Sequence, residues 1–79
     1  MVGLRKKHWD KPFSEKLARR VAKIPSNSLS SWAEQSLNEI NRCLAKFEST
    51  REQIFLDEAL AGAEALNAVI SELHKRNTI

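Results

Sequence analysis

The sequence predicts an all-α protein organised as an antiparallel helical hairpin, and three observations predict it. Between about Arg51 and Arg76, apolar residues recur by threes and fours. A second run with the same period spans about 31–48. Only Ser49-Thr50-Arg51-Glu52 separates the two, too few residues to do anything but turn the chain back on itself.

The longer run is the organising element. Leu56, Ala59, Ala63, Leu66, Ile70 and Leu73 line one helical face. About 26 residues at 1.5 Å each make a helix roughly 39 Å long. Its middle, Ala59 to Ala65, is rich in small side chains that let a neighbouring backbone approach. Gly62 costs about 1 kcal/mol relative to Ala in a helix interior. That cost implies a packing reason, either within the hairpin or where a partner helix crosses.

The preceding helix has Ala33, Leu37, Ile40, Leu44 and Phe47 as its stripe. Ser31 followed by Glu34 forms a capping box, which sets the start at about residue 31 after a polar linker, Ser26 to Ser31. Ser49 with Glu52, or Thr50 with Gln53, offers the next cap across the turn. Counting outward from the turn puts Leu44 opposite Leu56–Ala59, Ile40 opposite Ala63, Leu37 opposite Leu66 and Ala33 opposite Ile70.

A short first helix is expected over about 14–24, capped by Ser14 and ended by Pro25. Phe13, Leu17, Val21 and Ile24 form its apolar edge, with Lys16, Arg19, Arg20 and Lys23 opposite. A helix this short is unstable alone and must lean on something. Two arrangements satisfy the long helix, which has more apolar surface than one partner covers. The first helix can complete a three-helix bundle, or two hairpins can pair as a dimeric four-helix bundle. The expected organisation is a basic N-terminal arm, 1–13, and one small helical domain, 14–79.

At 79 residues the chain has a thin core and no visible staple. A single cysteine, Cys43, closes no intramolecular disulfide, and two histidines at opposite ends give no zinc spacing. The lone thiol, the missing apolar segment of a signal peptide and the missing 18-residue apolar run point to a cytoplasmic protein outside the membrane. Charge is unevenly spread. Residues 1–25 carry eight Lys or Arg against Asp10 and Glu15, whereas 26–79 carry five against eight acids. Such asymmetry suits an acidic partner.

No catalytic, cofactor or metal motif is evident. His74 lies beside Lys75 and Arg76 at a helix C-terminus, where positive charge suits the dipole. Cys43 borders an apolar stripe and reads as a small buried hydrophobe rather than a nucleophile. The carboxylates are scattered, no Glu-x-x-His is present, and no glycine-rich loop cradles a phosphate. A tetratricopeptide unit also begins its first helix with a Trp, but the later positions of that pattern do not match.

The functional expectation is therefore a non-enzymatic interaction module, an adaptor or complex subunit, whose partner is another protein or a second copy. Spare apolar surface at Phe55, Leu60, Gly62 and Val69 is its candidate interface. The alternative is a small nucleic-acid-binding regulator. Arg5, Lys6, Lys7, Lys16, Arg19, Arg20 and Lys23 would contact phosphates and Trp9 would stack on a base. No small-molecule substrate and no cofactor is inferred.

Overall fold

Three helices make up the chain over residues 13–77, the part that the computed structural model describes: α1 (Glu15–Ala22), α2 (Ser26–Thr50) and α3 (Gln53–Asn77). The fold is all-α. The expected N-terminal arm falls outside the described residues up to residue 12.

Ser14 begins α1 as its sequence position suggests. Its hydroxyl accepts the Leu17 amide at 3.2 Å, and its own amide donates to Glu64 Oε2 at 3.2 Å. The first bond holds the helix start and the second ties that start to α3. Val21 is buried with Leu29, Ala68 and Val69, and Phe13, Leu17, Ile24, Trp32, Ala33 and Leu73 pack around them. So α1 folds onto the hairpin within a single chain. Its apolar edge is used up in that contact.

The start of α2 departs from the sequence expectation. The helix begins at Ser26, directly after Pro25 in an extended conformation (φ −61°, ψ 151°), so the 26–31 linker does not exist. Ser31 and Glu34 lie inside the helix and form no cap there. Four serines and an asparagine are only modest helix formers, each losing about 0.5 kcal/mol relative to Ala. Leu29 is 0% exposed in the core, and burying one leucine contributes about 2 kcal/mol. Trp32 adds its own packing one turn later. Burial outweighs propensity, and the polar segment is wound into the helix to deliver these two side chains.

The turn is as short as expected. Arg51 adopts a left-handed conformation (φ 61°) and its amide donates to the Phe47 carbonyl at 2.7 Å. Thr50 donates its hydroxyl to the Lys46 carbonyl at 3.0 Å and accepts the Glu52 amide at 3.2 Å. One side chain therefore satisfies a carbonyl of the helix ending and an amide of the chain leaving. The expected spans of about 31–48 and 51–76 would let the third helix outreach the second by about eight residues; α2 and α3 are instead both 25 residues long, because α2 starts earlier.

The register of the hairpin follows the count from the turn, while the rotation of α2 does not. A Cβ built on Gly62 would stand 2.9 Å from Ile40 Cγ1, one residue from the expected partner Ala63. The buried residues of α2 are Leu29, Ser36 and Cys43, seven apart, whereas Leu37 and Leu44 are 49% and 42% exposed. The seam is lined by small groups because the two helices approach closely. The same Cβ position on Gly62 lies 3.7 Å from the Ser36 carbonyl oxygen. Bulky leucines cannot occupy that closest line and turn to its side.

Candidate interaction face

Two contacts fix which side of α2 meets which side of α3. The Cys43 thiol lies 3.8 Å from Glu58 Oε1, and Lys46 Nζ stands 5.8 Å from the centre of the Phe55 ring. Cys43, Lys46, Phe55 and Glu58 therefore share one side of the hairpin. With 3.6 residues per turn, the opposite side of α2 carries Ala33, Leu37, Ile40 and Leu44. The matching strip of α3 is Leu56, Leu60, Ala63, Asn67 and Ile70. These two strips form one face, and neither contains a charged residue. Leu60 is 68% exposed, Ile70 52%, Leu37 49% and Leu44 42%. Docking of α1 leaves these four side chains in contact with water.

The edges of the face have a different chemistry. Glu34 and Glu48, with Asn41 between them, follow the outer edge of α2; Asp57 and Glu64 follow the outer edge of α3. Among the described residues, no cation pairs with Glu34, Glu48 or Asp57; ion pairs elsewhere include Arg19–Glu15, Arg42–Glu39, Lys75–Glu72 and Arg76–Glu72. Arg42 and Lys46 belong to the Cys43 side.

That other side brings Glu39, Cys43 and Glu58 together, with donor atoms within 4.8 Å of one another. Contacts within the protein already engage this cluster. Arg42 already occupies Glu39, and Cys43 is buried at 3% exposure. Burial, reinforced by the negative charge of Glu39 and Glu58, pushes the thiol pKa above its ordinary range and keeps the proton on sulfur.

The predicted site residues separate into four groups. Arg5, Lys6, Lys7 and Trp9 lie outside the described residues. Lys16, Arg19, Arg20 and Lys23 are exposed along α1, with Arg19 Nη1 3.9 Å from Glu15. Leu60 stands on the apolar face. Phe55 is half-buried beneath Lys46, Gly62 is half-buried against Ile40, and Val69 is 0% exposed in the core. Val69 thus cannot serve as surface in this fold: α1 and the start of α2 cover the helix-three face that the sequence left unpartnered. Leu37, Leu44 and Ile70 take its place. The three-and-four spacing places all three in the seam, and the signal against this is the seven-residue recurrence of Leu29, Ser36 and Cys43 opposite small residues of α3.

No helix among the described residues is long and apolar enough to cross a membrane. No family model matches the chain, and no match was found among curated proteins or solved structures.

Proposed function

We propose that the chain is a non-enzymatic protein-interaction module that docks a partner on the apolar face of its α2–α3 hairpin. The observation that carries this reading is the exposure of Leu37, Leu44, Leu60 and Ile70 on one uncharged side of the helix pair. Large apolar side chains gathered on one face mark an interaction site, whereas scattered ones carry no such meaning. Each is about half exposed, so covering it would contribute about 1 kcal/mol. Four together give about 4 kcal/mol, which begins to offset the loss of translational and rotational freedom on association.

The test compares the full chain with a Leu37→Glu/Leu60→Glu variant by sedimentation velocity and by affinity capture from its own cell extract. The expected result is a discrete assembly, with self or with another protein, that the variant loses while keeping its helical circular dichroism. A strictly monomeric chain whose captured species are the same in both forms overturns the reading.

A second reading is favoured by one observation. Lys16 and Arg20 on α1 and Lys23 at its end are exposed, and the same N-terminal part of the sequence carries Arg5, Lys6 and Lys7. This basic segment would bind nucleic-acid phosphates non-specifically. Fluorescence anisotropy with duplex DNA and single-stranded RNA tests it. Binding should weaken steeply as salt rises and fall in a Lys16→Gln/Arg20→Gln/Lys23→Gln variant; no binding at low salt removes this reading.

A further inference from the structure

The edges of the apolar face specify its occupant more closely than its centre does. We infer that the face takes an amphipathic helix of a partner protein whose apolar stripe is flanked by lysine or arginine; this rests on the interaction reading above. Ala33, Leu37, Ile40 and Leu44 on α2, with Leu56, Leu60, Ala63 and Ile70 on α3, form a floor two helices wide, the geometry that receives a third helix through anchors spaced by threes and fours. The floor lacks charge, so it selects only for shape and apolarity. Lys75 falls on the α3 edge only beyond Ile70; alongside the floor both flanks are carboxylates, Glu34 and Glu48 along α2, Asp57 and Glu64 along α3. Three of these have no cationic partner among the described residues.

The same flanks argue against a second copy as the occupant. In a two-fold dimer the identical patch meets itself, so the acidic edge of one copy would lie along the acidic edge of the other. Like charges facing across an interface oppose association, whereas complementary charges favour and orient it. A helix with basic flanks removes the repulsion and pairs Glu34, Glu48 and Asp57 at once.

The probe is a synthetic peptide of about 18 residues, long enough for five helical turns. It has leucine at every third or fourth position, lysine beside the leucines and glutamine elsewhere. A counterpart carries glutamate in place of each lysine. Both are titrated into the full chain by calorimetry, with sedimentation velocity run on the chain alone. The lysine peptide should bind about 100-fold more tightly than the glutamate peptide. Binding should be lost in Leu37→Ser/Leu60→Ser, which keeps every acid, and should weaken about tenfold in Glu48→Gln/Asp57→Asn, which keeps the floor. Equal binding of both peptides overturns the inference while leaving the interaction reading intact. So does a dimer of the chain that Leu60→Ser dissociates. Undiminished binding to Leu37→Ser/Leu60→Ser also overturns it, because charge alone would then account for the contact. A monomer that binds neither peptide removes this inference, and removes the broader reading only if the face variant also changes no assembly in cell extract.

Discussion

Arg76 is the side chain through which the three helices are joined by polar contacts. Its guanidinium donates to the Val21 and Ala22 carbonyls at 3.3 Å each, to Ser26 Oγ at 3.0 Å and to Glu72 Oε2 at 2.9 Å. The first two are carbonyls of the last turn of α1, which lack partners within the helix itself; the Ile24 amide also donates to the Val21 carbonyl at 3.2 Å, just beyond the helix end. Ser26 is the first residue of α2, so one guanidinium closes the end of one helix and anchors the start of the next. Lysine carries the charge but not the planar fork of donors. Arg76→Ala should destabilise the chain by about 2 kcal/mol and Arg76→Lys by about 1 kcal/mol, measured by urea unfolding. Equal stability of all three forms would show that the bridge contributes nothing.

Cys43 gives a second prediction at this scale, with a definite sign. The thiol is buried between two carboxylates and its folded pKa lies above the ordinary value. The fold therefore favours its neutral form over its thiolate. The stability it contributes is complete below the ordinary thiol pKa and declines as pH rises through that value toward the raised one. Unfolding free energy followed from neutral pH to pH 10 should fall more in the wild-type chain than in Cys43→Ala. A disulfide reagent should react at least about 100-fold more slowly with the native thiol than with the urea-unfolded one.

At the scale of the element, the hairpin shows what a sequence can and cannot convey. Helix identity follows from the three-and-four spacing, and the turn follows from its length and from Thr50. The α2 start was hidden because Ser26-Asn27-Ser28 carries the composition of a linker, while the residue that winds it into a helix, Leu29, acts through Val21, Ala68 and Val69 from distant parts of the chain. Rotation of α2 was hidden for a related reason. Choosing the largest residues as the seam favours Leu37 and Leu44, but a seam at close approach selects Ser36 and Cys43. That choice then decided the site: the leucines taken for core are the exposed floor of the proposed docking face. Leu60 was legible as surface because a second helix could not cover both sides of α3.

Gly62 tests the close approach directly. Alanine would gain about 1 kcal/mol in helix propensity. It would also place a methyl 2.9 Å from Cγ1 of Ile40, an atom near the stem of a β-branched side chain with little freedom to move. Overpacking of this kind costs about 1–3 kcal/mol, so Gly62→Ala should be net destabilising by about 1 kcal/mol. Ile40→Ala removes the clashing atom. In that background the same substitution should become stabilising by up to about 1 kcal/mol, a sign change that a double-mutant cycle reads without ambiguity. Additivity of the two substitutions would mean that the helices are not held at this spacing.

Across the whole molecule, burial is concentrated at one end. Val21, Leu29, Ala68 and Val69 meet where α1, the start of α2 and the end of α3 converge, and Arg76 closes that same end. Toward the turn only two helices are present, with Cys43 and Ala59 as the buried residues. Local stability follows buried contacts, so opening should be graded along the hairpin. Amide hydrogen exchange should be slowest around residues 29–36 and 66–73 and faster around 44–58, well before global unfolding. The proposed docking floor spans both zones, from Ile70 near the strong end to Leu44 and Leu56 near the weak one. A bound helix would supply the third layer that the turn end lacks. Saturation with the lysine peptide should therefore slow exchange most around 44–58, and slowing confined to α1 would place the contact on the opposite, basic part of the molecule.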